Sequence, residues 1–350
     1  MPLPKPSSCL GCPRSSSGKG FVPSEFPPEA RVLFVGGGPS QDEFLDARMF
    51  TGAVGRKLDY WITAAGLDRR ECALTHVVQC WIQGATPTAE AIAFCHHQHR
   101  AHWIGTLPTG TVVVPLGIDA TKYILGPRVK ETSIGVRARA EVGGVPRTVL
   151  PLLHPTDIMR GRWSDEPAQI AYLKQVKDIL NGTQRHTPDD FTAPAPIRGR
   201  YIPTPGLGDL DTFRASIGPN GLAVDLETAG DHLRCVGLYG CDAGWYLSFP
   251  VRDVGGAQYW SAADLPIAVE WLWDLLSDPG ISKLFHNGQA FDVPVLERNG
   301  FVVNGYDFDT MLAAHVAYPG TPKGLEDLSK VYLRVGGWKS LVKDTEGDGK

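Results

Sequence analysis

The stretch Thr75–Cys95, THVVQCWIQGATPTAEAIAFC, organises the first half of this chain. It carries two cysteines, and it places His76 at the end of a predicted strand. Two further cysteines, Cys9 and Cys12, form a C-x2-C pair near the N-terminus. If the fold brings these four thiols to one point, they predict a metal or an iron-sulfur cluster, because four thiolates are the ligand set of such groups.

The composition is that of an ordinary enzyme, with 43% hydrophobic and 21% charged residues. No run of about 18 apolar residues indicates a membrane span, and the N-terminus lacks the apolar region of a signal peptide. We therefore expect a cytoplasmic protein, in which the C-x2-C pair indicates ligands rather than a disulfide. A length of 350 residues is long for one core and predicts two domains. Three cysteines without partner spacing are expected to be core or surface thiols: Cys72, Cys235 and Cys241.

The net charge of −4 is unevenly distributed. Residues 1–200 carry 23 Lys and Arg against 18 Asp and Glu, a net charge of +5, whereas residues 201–350 carry 11 against 20, a net charge of −9. A basic half suits a surface that faces phosphates, and an acidic half suits binding of divalent cations. Neither imbalance alone establishes a nucleic-acid partner.

The first half alternates strand-like and helix-like segments. Arg31–Val35 predicts a buried strand that runs into the turn Gly36–Pro39, where the backbone comes close to another group. A nucleotide-binding loop is the alternative, but Gln41 stands where a dinucleotide motif needs glycine. The other predicted elements are a helix at 56–65, a strand at 73–78, a helix at 88–103 and strands at 111–116 and 148–153. This order predicts a parallel sheet covered by helices, with a site at the carboxyl ends of its strands.

These segments resemble, in order, those of the iron-sulfur uracil-DNA glycosylases of the thermostable family-four type. The resemblance covers roughly residues 9–180 and rests on VGGGPS, THVVQC, PTAEAIAFC, VVVPLGIDA and LLHPTDIMR, with Phe50, Gly52, Gly55 and Leu58. It implies a three-layer α/β fold and a [4Fe-4S] cluster held by Cys9, Cys12, Cys80 and Cys95. Spacing alone leaves a tetrahedral zinc site, or four unrelated thiols, as alternatives. Three histidines beside the last cysteine are expected to face solvent or phosphate: His96, His97 and His99.

The resemblance also assigns residues around a base flipped out of DNA. Phe50 matches the aromatic residue that stacks on the base, and His154 matches the histidine that hydrogen-bonds the uracil oxygen. Arg160 matches a phosphate contact, and Gly37 and Pro39 belong to the base-binding turn.

Two positions depart from the family pattern. Gly37 stands where the family has the glutamate that positions water, and His76 where it has the asparagine that reads the uracil edge. Glycine can neither orient nor deprotonate water, and an imidazole presents a different donor and acceptor pair from an amide. Asp42 and Glu43 are candidate substitutes, and a histidine satisfied within the fold is an alternative for His76. The pattern favours a module that binds DNA, or one retuned to another base, over excision of uracil.

Residues 183–210 separate the two halves. They are rich in Pro, Gly and charge, and they predict a linker between a first domain at 1–182 and a second at 211–350. In the second domain, GLAVDLET predicts a strand that presents Asp225 and Glu227 on one side, where the two carboxylates can share metal ions. Strands are also predicted at 235–238, 245–249 and 281–285, with a helix at 262–276. The segment HNGQAFD places Asn287 and Asp292 at the start of a further helix.

With FDTMLAAHVAYPG and KGLEDLSKVYL, this pattern resembles the 3'-to-5' exonucleases of the DEDD superfamily, in particular the proofreading domain of bacterial and phage family-A DNA polymerases. The resemblance covers about residues 205–350. It implies a ribonuclease H-like fold and phosphodiester hydrolysis by two Mg2+ or Mn2+ ions. The implied metal ligands are Asp225, Glu227 and Asp292. The implied contacts to the terminal nucleotide are Thr228 and Asn287, and Phe291 is expected to pack in the fold.

The last motif of that superfamily has no match. It supplies a fourth aspartate with a tyrosine or histidine, whereas the final SLVKDTEGDGK has Asp344 and Asp348 without either spacing. We therefore expect the N-terminal region of a longer, phage-like DNA polymerase, with a polymerase domain following and an exonuclease that is weak or inactive as given. The predicted function is proofreading on DNA beside a glycosylase-like DNA-binding module. An active DNA glycosylase and a non-catalytic DNA-binding module are the alternatives.

Overall fold

The computed structural model describes residues 1–82, 87–183, 199–230, 232–253, 255–319 and 321–333. The chain forms two compact units, one from the described residues up to Thr183 with the segment from Glu326 onwards, the other from Gly199 to Pro319. Each unit has its own sheet and hydrophobic core. Within the described ranges, no helix combines the length and the apolar character that crossing a membrane requires.

The first unit contains β1 (Val32–Gly36), α1 (Gln41–Asp46), α2 (Gly52–Ala64), β2 (Cys72–His76), α3 (Ala89–His99), α4 (Ala101–Thr106), β3 (Val112–Pro115), α5 (Ile118–Leu125), β4 (Ala138–Val142), β5 (Val145–Val149), α6 (Pro155–Asp157) and α7 (Glu166–Leu180). The second contains β6 (Tyr201–Ile202), α8 (Leu207–Ala215), β7 (Leu222–Ala229), β8 (His232–Gly240), β9 (Trp245–Pro250), α9 (Asp264–Ser277), β10 (Lys283–Phe285), α10 (Asp292–Arg298), β11 (Tyr306–Asp309) and α11 (Thr310–Ala317). A last helix, α12 (Leu325–Leu328), continues into a π-helical turn at Ser329–Leu333.

β1 lies at the centre of the first sheet, between β2 and β3. The strand order is β2-β1-β3-β5-β4, and neighbouring strands are parallel except for β4 and β5. Every residue of β1, β2 and β3 is buried, as expected of parallel strands covered on both faces. The register pairs Gly36 with His76, so β1 and β2 end at the same edge of the sheet.

Helices cover both faces of this sheet, as the predicted three-layer class requires. Phe34 of β1 packs in the same core cluster as Trp61 of α2 and Leu173 of α7. The adjacent Leu33 packs in a different cluster with Ile104 of α4. Because successive strand residues point to opposite faces, the two clusters are the two interfaces between the sheet and its helix layers.

The first sheet departs from a wholly parallel arrangement at one edge. β4 and β5 form an antiparallel hairpin closed by Gly143 and Gly144, whose φ angles are +66° and +74°. Glycine adopts this left-handed region without steric strain, and a Gly-Gly dipeptide between two strand-like segments is a hairpin signal. The strand predicted at 148–153 accordingly lies at Val145–Val149.

The single helix predicted at 88–103 is two helices that meet at Arg100. The guanidinium of Arg100 is buried and donates to the carbonyl oxygens of His76 at 2.6 Å and Ile92 at 3.3 Å. A buried charged group needs such acceptors, because desolvation without partners is strongly unfavourable. The break therefore anchors α3 to the end of β2, where the candidate site begins.

The second sheet has the order β11-β10-β7-β8-β9-β6. β7, β8 and β9 form an antiparallel meander, and β10 and β11 add in parallel on the other side of β7. If β7 is counted as the first strand, the order across the sheet from β9 to β11 is 3-2-1-4-5. This is the order of the ribonuclease H-like fold predicted for this half.

Regular structure begins inside the segment predicted as a linker at 183–210. β6 pairs in parallel with β9, and α8 begins at Leu207. Residues 184–198 of that predicted linker lie outside the described residues, as do residues 334–350 with Asp344 and Asp348.

Candidate functional site

An open pocket of about 460 Å³ lies at the carboxyl ends of β1 and β3. Its walls come from the turn after β1, the turn after β3 and the segment that contains α6. Four residues predicted from the sequence line it together: Gly37, Pro39, His154 and Arg160. Arg14 and Asp119, which the sequence did not single out, also line it. The pocket therefore combines an imidazole, two guanidinium groups and backbone in one concave surface.

His154 is held as a neutral hydrogen-bond donor. It is the N-cap of α6, and its Nδ1 accepts the backbone N–H of Thr156 at 3.2 Å. Nδ1 must then be the unprotonated nitrogen, which leaves the proton on Nε2. Burial and, next, the neighbouring His76 lower the pKa of His154 to about 4, against the carboxylate of Asp157, which raises it. The ring can donate to a carbonyl oxygen or to developing negative charge in the pocket.

Glu43 and His76 form a buried pair at the ends of α1 and β2. Their side chains are 3% and 2% exposed, and Nε2 of His76 lies 2.6 Å from Oε1 of Glu43. The Glu43 carboxylate also accepts the backbone N–H of Phe50 at 2.6 Å and of Ser40 at 2.7 Å. Burial alone would raise the pKa of Glu43, but His76 and the two amides outweigh it and lower the pKa to about 2. Glu43 is therefore ionised, and Nε2 of His76 donates to it.

Neither Phe50 nor His76 lines the pocket. They are 2% and 1% exposed, their ring centroids lie 4.7 Å apart, and both rings contact Gly36. Phe50 holds a left-handed backbone with φ of +46°, which its N–H bond to Glu43 supports. Nδ1 of His76 has no hydrogen-bond partner among the described residues.

The turn after β1 contains two glycines with opposite steric requirements. A Cβ on Gly36 would lie 2.2 Å from Nδ1 of His76, whereas a Cβ on Gly37 would meet nothing within 4 Å in the described structure. Gly37, where the family pattern has glutamate, thus leaves open space beside the pocket. The two candidate substitutes do not line the pocket: Glu43 is paired with His76, and Asp42 packs against Gly52.

The four cysteines of the predicted cluster line one small cavity. Sγ of Cys95 accepts the N–H of Gln79 at 3.3 Å, and Sγ of Cys12 accepts the N–H of Arg14 at 3.4 Å. A Cβ on Gly18 would lie 2.5 Å from Sγ of Cys80, so glycine is needed there. In the part of the chain that the structure describes, no three Cys, His, Asp or Glu side chains are grouped as ligands of a single metal ion.

Burial raises the pKa of three thiols at this cavity, Cys9, Cys80 and Cys95, to about 11 for Cys95. Two cationic side chains, those of Lys5 and Arg14, also line the cavity. His99 differs from the expectation that it faces solvent, since its Nε2 lies 3.3 Å from Sγ of Cys9. Its neighbour His97 is exposed.

In the second unit, carboxylates gather beside β7. Asp225 and Glu227 lie on the exposed side of this strand, alternating with buried Val224 and Leu226, as predicted from its period of two. Asp292 is the first residue of α10 and is 4% exposed, and its Oδ1 has no hydrogen-bond partner among the described residues. Burial and, next, the charge of Asp225 raise the pKa of Asp292 to about 6, against backbone hydrogen bonds that include one from Leu226. Asp292 therefore lies next to β7 at Leu226, the residue after Asp225.

Asp309 anchors the loop that precedes Asp292, a role missed by the sequence analysis. Its carboxylate accepts the N–H groups of Asn287 at 3.1 Å and Gly288 at 2.9 Å, the hydroxyl of Tyr306 at 2.6 Å, and two amides of α11. Burial would raise its pKa, but these donors lower it. An aspartate directly before a helical pattern is an N-cap signal, and it identifies Asp309 in retrospect.

Asn287 lies before α10 rather than within it, with a left-handed φ of +65°. Phe291, expected to pack in the fold, is instead 45% exposed next to Asp292. Thr228 is half-buried on β7. An exposed aromatic ring beside a group of carboxylates can stack on a nucleotide base.

The first unit matches the family described as the Uracil DNA glycosylase superfamily over residues 23–177. The Type-4 uracil-DNA glycosylase of Thermotoga maritima is 30% identical over 156 residues, which are 44% of this chain and 79% of that protein. The Type-4 uracil-DNA glycosylase of Sulfurisphaera tokodaii is 32% identical over 193 residues, 53% of this chain and 86% of that protein.

Among solved structures, the POL domain of Pol1 from M. smegmatis, in complex with DNA primer-template and dNTP, is similar with a TM-score of 0.32 and 24% identity. The similarity covers 39% of this chain and 23% of that chain. The present chain thus spans about a quarter of that structure.

Proposed function

Because this chain belongs to the uracil-DNA glycosylase superfamily, we propose that its first unit binds DNA and holds an unpaired base in the pocket at the ends of β1 and β3. The neutral His154, whose Nε2–H is available as a donor, supports this proposal most directly. Arg14 and Arg160 line the same pocket and offer guanidinium groups to phosphate or to an anionic base.

Excision of the base is a second candidate function for this unit. Gly37 removes the carboxylate that would position water, and Glu43 is committed to His76. One observation favours activity nonetheless: Asp119, in the first turn of α5, is exposed and lines the pocket. A solvated carboxylate there can orient water towards a sugar carbon.

The pocket proposal is tested with uracil-containing single-stranded DNA. We expect the wild-type chain to bind this strand and to form no abasic product, and Arg160→Ala to weaken binding. Abasic product that is lost in Asp119→Asn would establish the glycosylase instead. Gly37→Glu is the complementary variant, because its side chain enters open space: a gain of abasic product would show that the pocket lacked only this carboxylate.

We propose that Cys9, Cys12, Cys80 and Cys95 hold a [4Fe-4S] cluster. The four cysteines line one cavity, and the absence of a side chain at Gly18 leaves room for the thiol of Cys80. Both observations support four thiolate ligands around one group. Such a cluster would tie the N-terminal segment to α3. Iron and sulfide content of the purified protein tests this, and stoichiometric zinc without iron would contradict it.

For the second unit we propose 3'-to-5' exonuclease activity on DNA with Mg2+ or Mn2+. The observation that carries it is the buried Oδ1 of Asp292, which has no hydrogen-bond partner among the described residues, in a carboxyl group whose pKa the nearby Asp225 helps to raise. A carboxylate oxygen without a donor, next to a second carboxylate, is suited to a cation. Asp225, Glu227 and Asp292 would hold the cations, which would supply a hydroxide nucleophile and stabilise charge on the phosphate. Asn287, Thr228 and the exposed Phe291 would position the terminal nucleotide.

We further propose that this unit proofreads for a family-A DNA polymerase of phage type, with polymerase activity in residues beyond this chain. Two measurements test the unit itself: Mn2+ binding, and release of nucleotides from a 3'-labelled primer with and without Mg2+ or Mn2+. We expect saturable Mn2+ binding that Asp225→Ala abolishes and that the exposed-surface control Asp274→Ala retains. Equal Mn2+ binding by both variants would contradict the assignment.

A further inference from the structure

A second groove in the first unit shares no lining residue with the base pocket. It has a volume of about 410 Å³ and is lined by Phe21, Pro23, Ser24, Phe26, Gln79, Gln98, His99 and Trp103. The cysteine cavity lies between the two sites, because it shares Val78 and Cys80 with the pocket and Gln79 with the groove. Consecutive residues of one segment therefore face two different sites.

Gln79 lines this groove as well as the cysteine cavity, and it carries a buried polar atom without a partner among the described residues. It is 2% exposed, and its Nε2 donates to the hydroxyls of Ser24 at 2.8 Å and Thr75 at 3.1 Å. Those two hydroxyls also bond each other at 2.7 Å. Oε1 of Gln79 has no partner among the described residues, although its amide lies against Ser24 in the groove wall. A buried acceptor without a donor is unfavourable by about 1–3 kcal/mol, so a ligand that donates here relieves a real cost.

Four of the eight residues that line the groove are aromatic: Phe21, Phe26, His99 and Trp103. The ring of Phe21 packs against His99 with centroids 4.9 Å apart, and Phe26 adds a second phenyl ring. Trp103 is 52% exposed at the groove, so one face of its indole ring is available to a ligand. Flat aromatic surfaces with an acceptor at one point match a planar heterocycle that carries an N–H group.

From these observations we propose that the groove is a second nucleobase site, which takes an unpaired base of single-stranded DNA. The base would stack on Trp103 and donate an N–H to Oε1 of Gln79. This proposal rests on the proposed DNA binding by the first unit and adds to it a contact that no part of the base pocket supplies. A protein partner would need a larger apolar surface than one exposed indole ring provides.

The test measures binding of the full chain to fluorescein-labelled oligo-dT and to an abasic oligonucleotide of equal length, by fluorescence anisotropy. We expect Trp103→Ala to weaken binding of oligo-dT about tenfold and to leave binding of the abasic strand unchanged, because a stacking contact needs the base. The matched control is Trp163→Ala, which removes an indole that is 68% exposed in the same unit but does not line the groove.

A photochemical measurement tests the assignment on the wild-type chain and so does not depend on the folding of a variant. Oligonucleotides with 5-iododeoxyuridine, irradiated on the wild-type chain, should cross-link to Phe21 or Trp103. Tight binding of oligo-dT that is equal in wild type and Trp103→Ala, with cross-links only in the base pocket, would overturn the groove and leave the pocket proposal intact. An equal loss on both strands would mean a backbone contact and would also overturn it. No binding of DNA by the wild-type chain would overturn both.

Discussion

Two buried carboxyl groups, Glu43 in the first unit and Asp292 in the second, have opposite surroundings. They are 2% and 4% exposed, and burial alone raises the pKa of each. His76 and two backbone amides reverse this effect at Glu43, whose pKa is about 2, whereas the charge of Asp225 adds to it at Asp292, whose pKa is about 6. Partners, rather than burial, decide whether a buried acid stabilises the fold or is suited to a cation.

The largest expected effect comes from removing a carboxylate at the second site. Asp225→Ala should lower metal-dependent release of 3' nucleotides at least about a hundredfold, which corresponds to about 2.7 kcal/mol in the barrier, because a metal ligand is lost. The measurement uses a 3'-labelled primer. Both variants are compared with wild type in the longest form of the protein that releases 3' nucleotides. Asp274→Ala, an exposed aspartate of α9, is the control and should keep full activity. Activity in Asp225→Ala equal to the control would remove the cation role from this site.

Removing charge at the first site should instead affect folding. Glu43→Gln should destabilise the first unit by about 3 kcal/mol, because it leaves His76 without its ionic partner in a buried position. Urea unfolding followed by far-UV circular dichroism measures this. The exposed Glu29→Gln is the matched control, with an expected change below about 0.5 kcal/mol.

The pair of Glu43 and His76 also predicts how the stability of the first unit changes with pH. The pKa of Glu43 in the folded chain, about 2, lies below its ordinary value of 4.5. Its stabilisation is therefore present above pH 4.5 and is lost as the pH falls from 4.5 towards 2. The stability difference between wild type and Glu43→Gln should shrink over that interval. A difference that stays constant down to pH 2 would show that Glu43 is not ionised in the fold.

Asp292→Asn should change the free energy of unfolding in the direction opposite to Glu43→Gln. In the absence of metal it should stabilise the second unit by about 1–2 kcal/mol at neutral pH, less than the full pKa shift implies because the charge of Asp225 lies on the exposed side of β7 and is screened. The folded pKa of about 6 lies above the ordinary 3.8, so the contribution to stability is present below pH 3.8 and is lost as the pH rises through 6. Calorimetry without metal measures the change in stability and its dependence on pH. Binding of Mn2+ is the second measurement, because the variant loses a proposed ligand. A variant less stable than wild type would mean that the backbone hydrogen bonds to the Asp292 carboxylate outweigh its burial and the repulsion from Asp225, and would contradict this prediction.

His154 gives a smaller expected effect. Because its pKa is about 4, below the ordinary 6.5, the ring is neutral throughout the range from pH 5.5 to 8. Binding of uracil-containing single-stranded DNA should change less than about twofold between those limits, apart from the salt-dependent background. Loss of binding with a midpoint near pH 6.5 would contradict the neutral donor. His97→Ala, which removes an exposed histidine of α3, controls for general charge effects.

The sequence predicted what depends on local periodicity. Asp225 and Glu227 share one side of β7 because strand side chains alternate, and the C-x2-C pair indicated ligands because of its spacing. The pair of Glu43 and His76 depends on a contact between α1 and β2, separated by 33 residues. The pattern Ser40-x-x-Glu43 is a capping box and could have shown that this carboxylate is occupied, but nothing local to it indicates His76.

Other parts of the sites depend on tertiary packing that no local pattern describes. Arg14 lines the pocket because the N-terminal segment folds back over the cysteine cavity. Gln79 is left with a free acceptor because Ser24 and Thr75 occupy its other end. Phe291 was expected to pack because aromatic residues usually do, yet the loop anchored by Asp309 leaves it exposed.

The smallest effect is expected where the first unit could regain a carboxylate beside its pocket. Gly37→Glu should change the free energy of unfolding by less than about 0.5 kcal/mol, because a Cβ there meets nothing within 4 Å in the described structure and the new group stays solvated. Its contrast is Gly36→Ala, where the added Cβ would lie 2.2 Å from Nδ1 of His76 and the buried pair must shift. Urea unfolding of both variants measures the difference. If Gly37→Glu is as costly as Gly36→Ala, the turn after β1 does not have the open side described, and a carboxylate at that position would be buried like Asp292 rather than exposed to water.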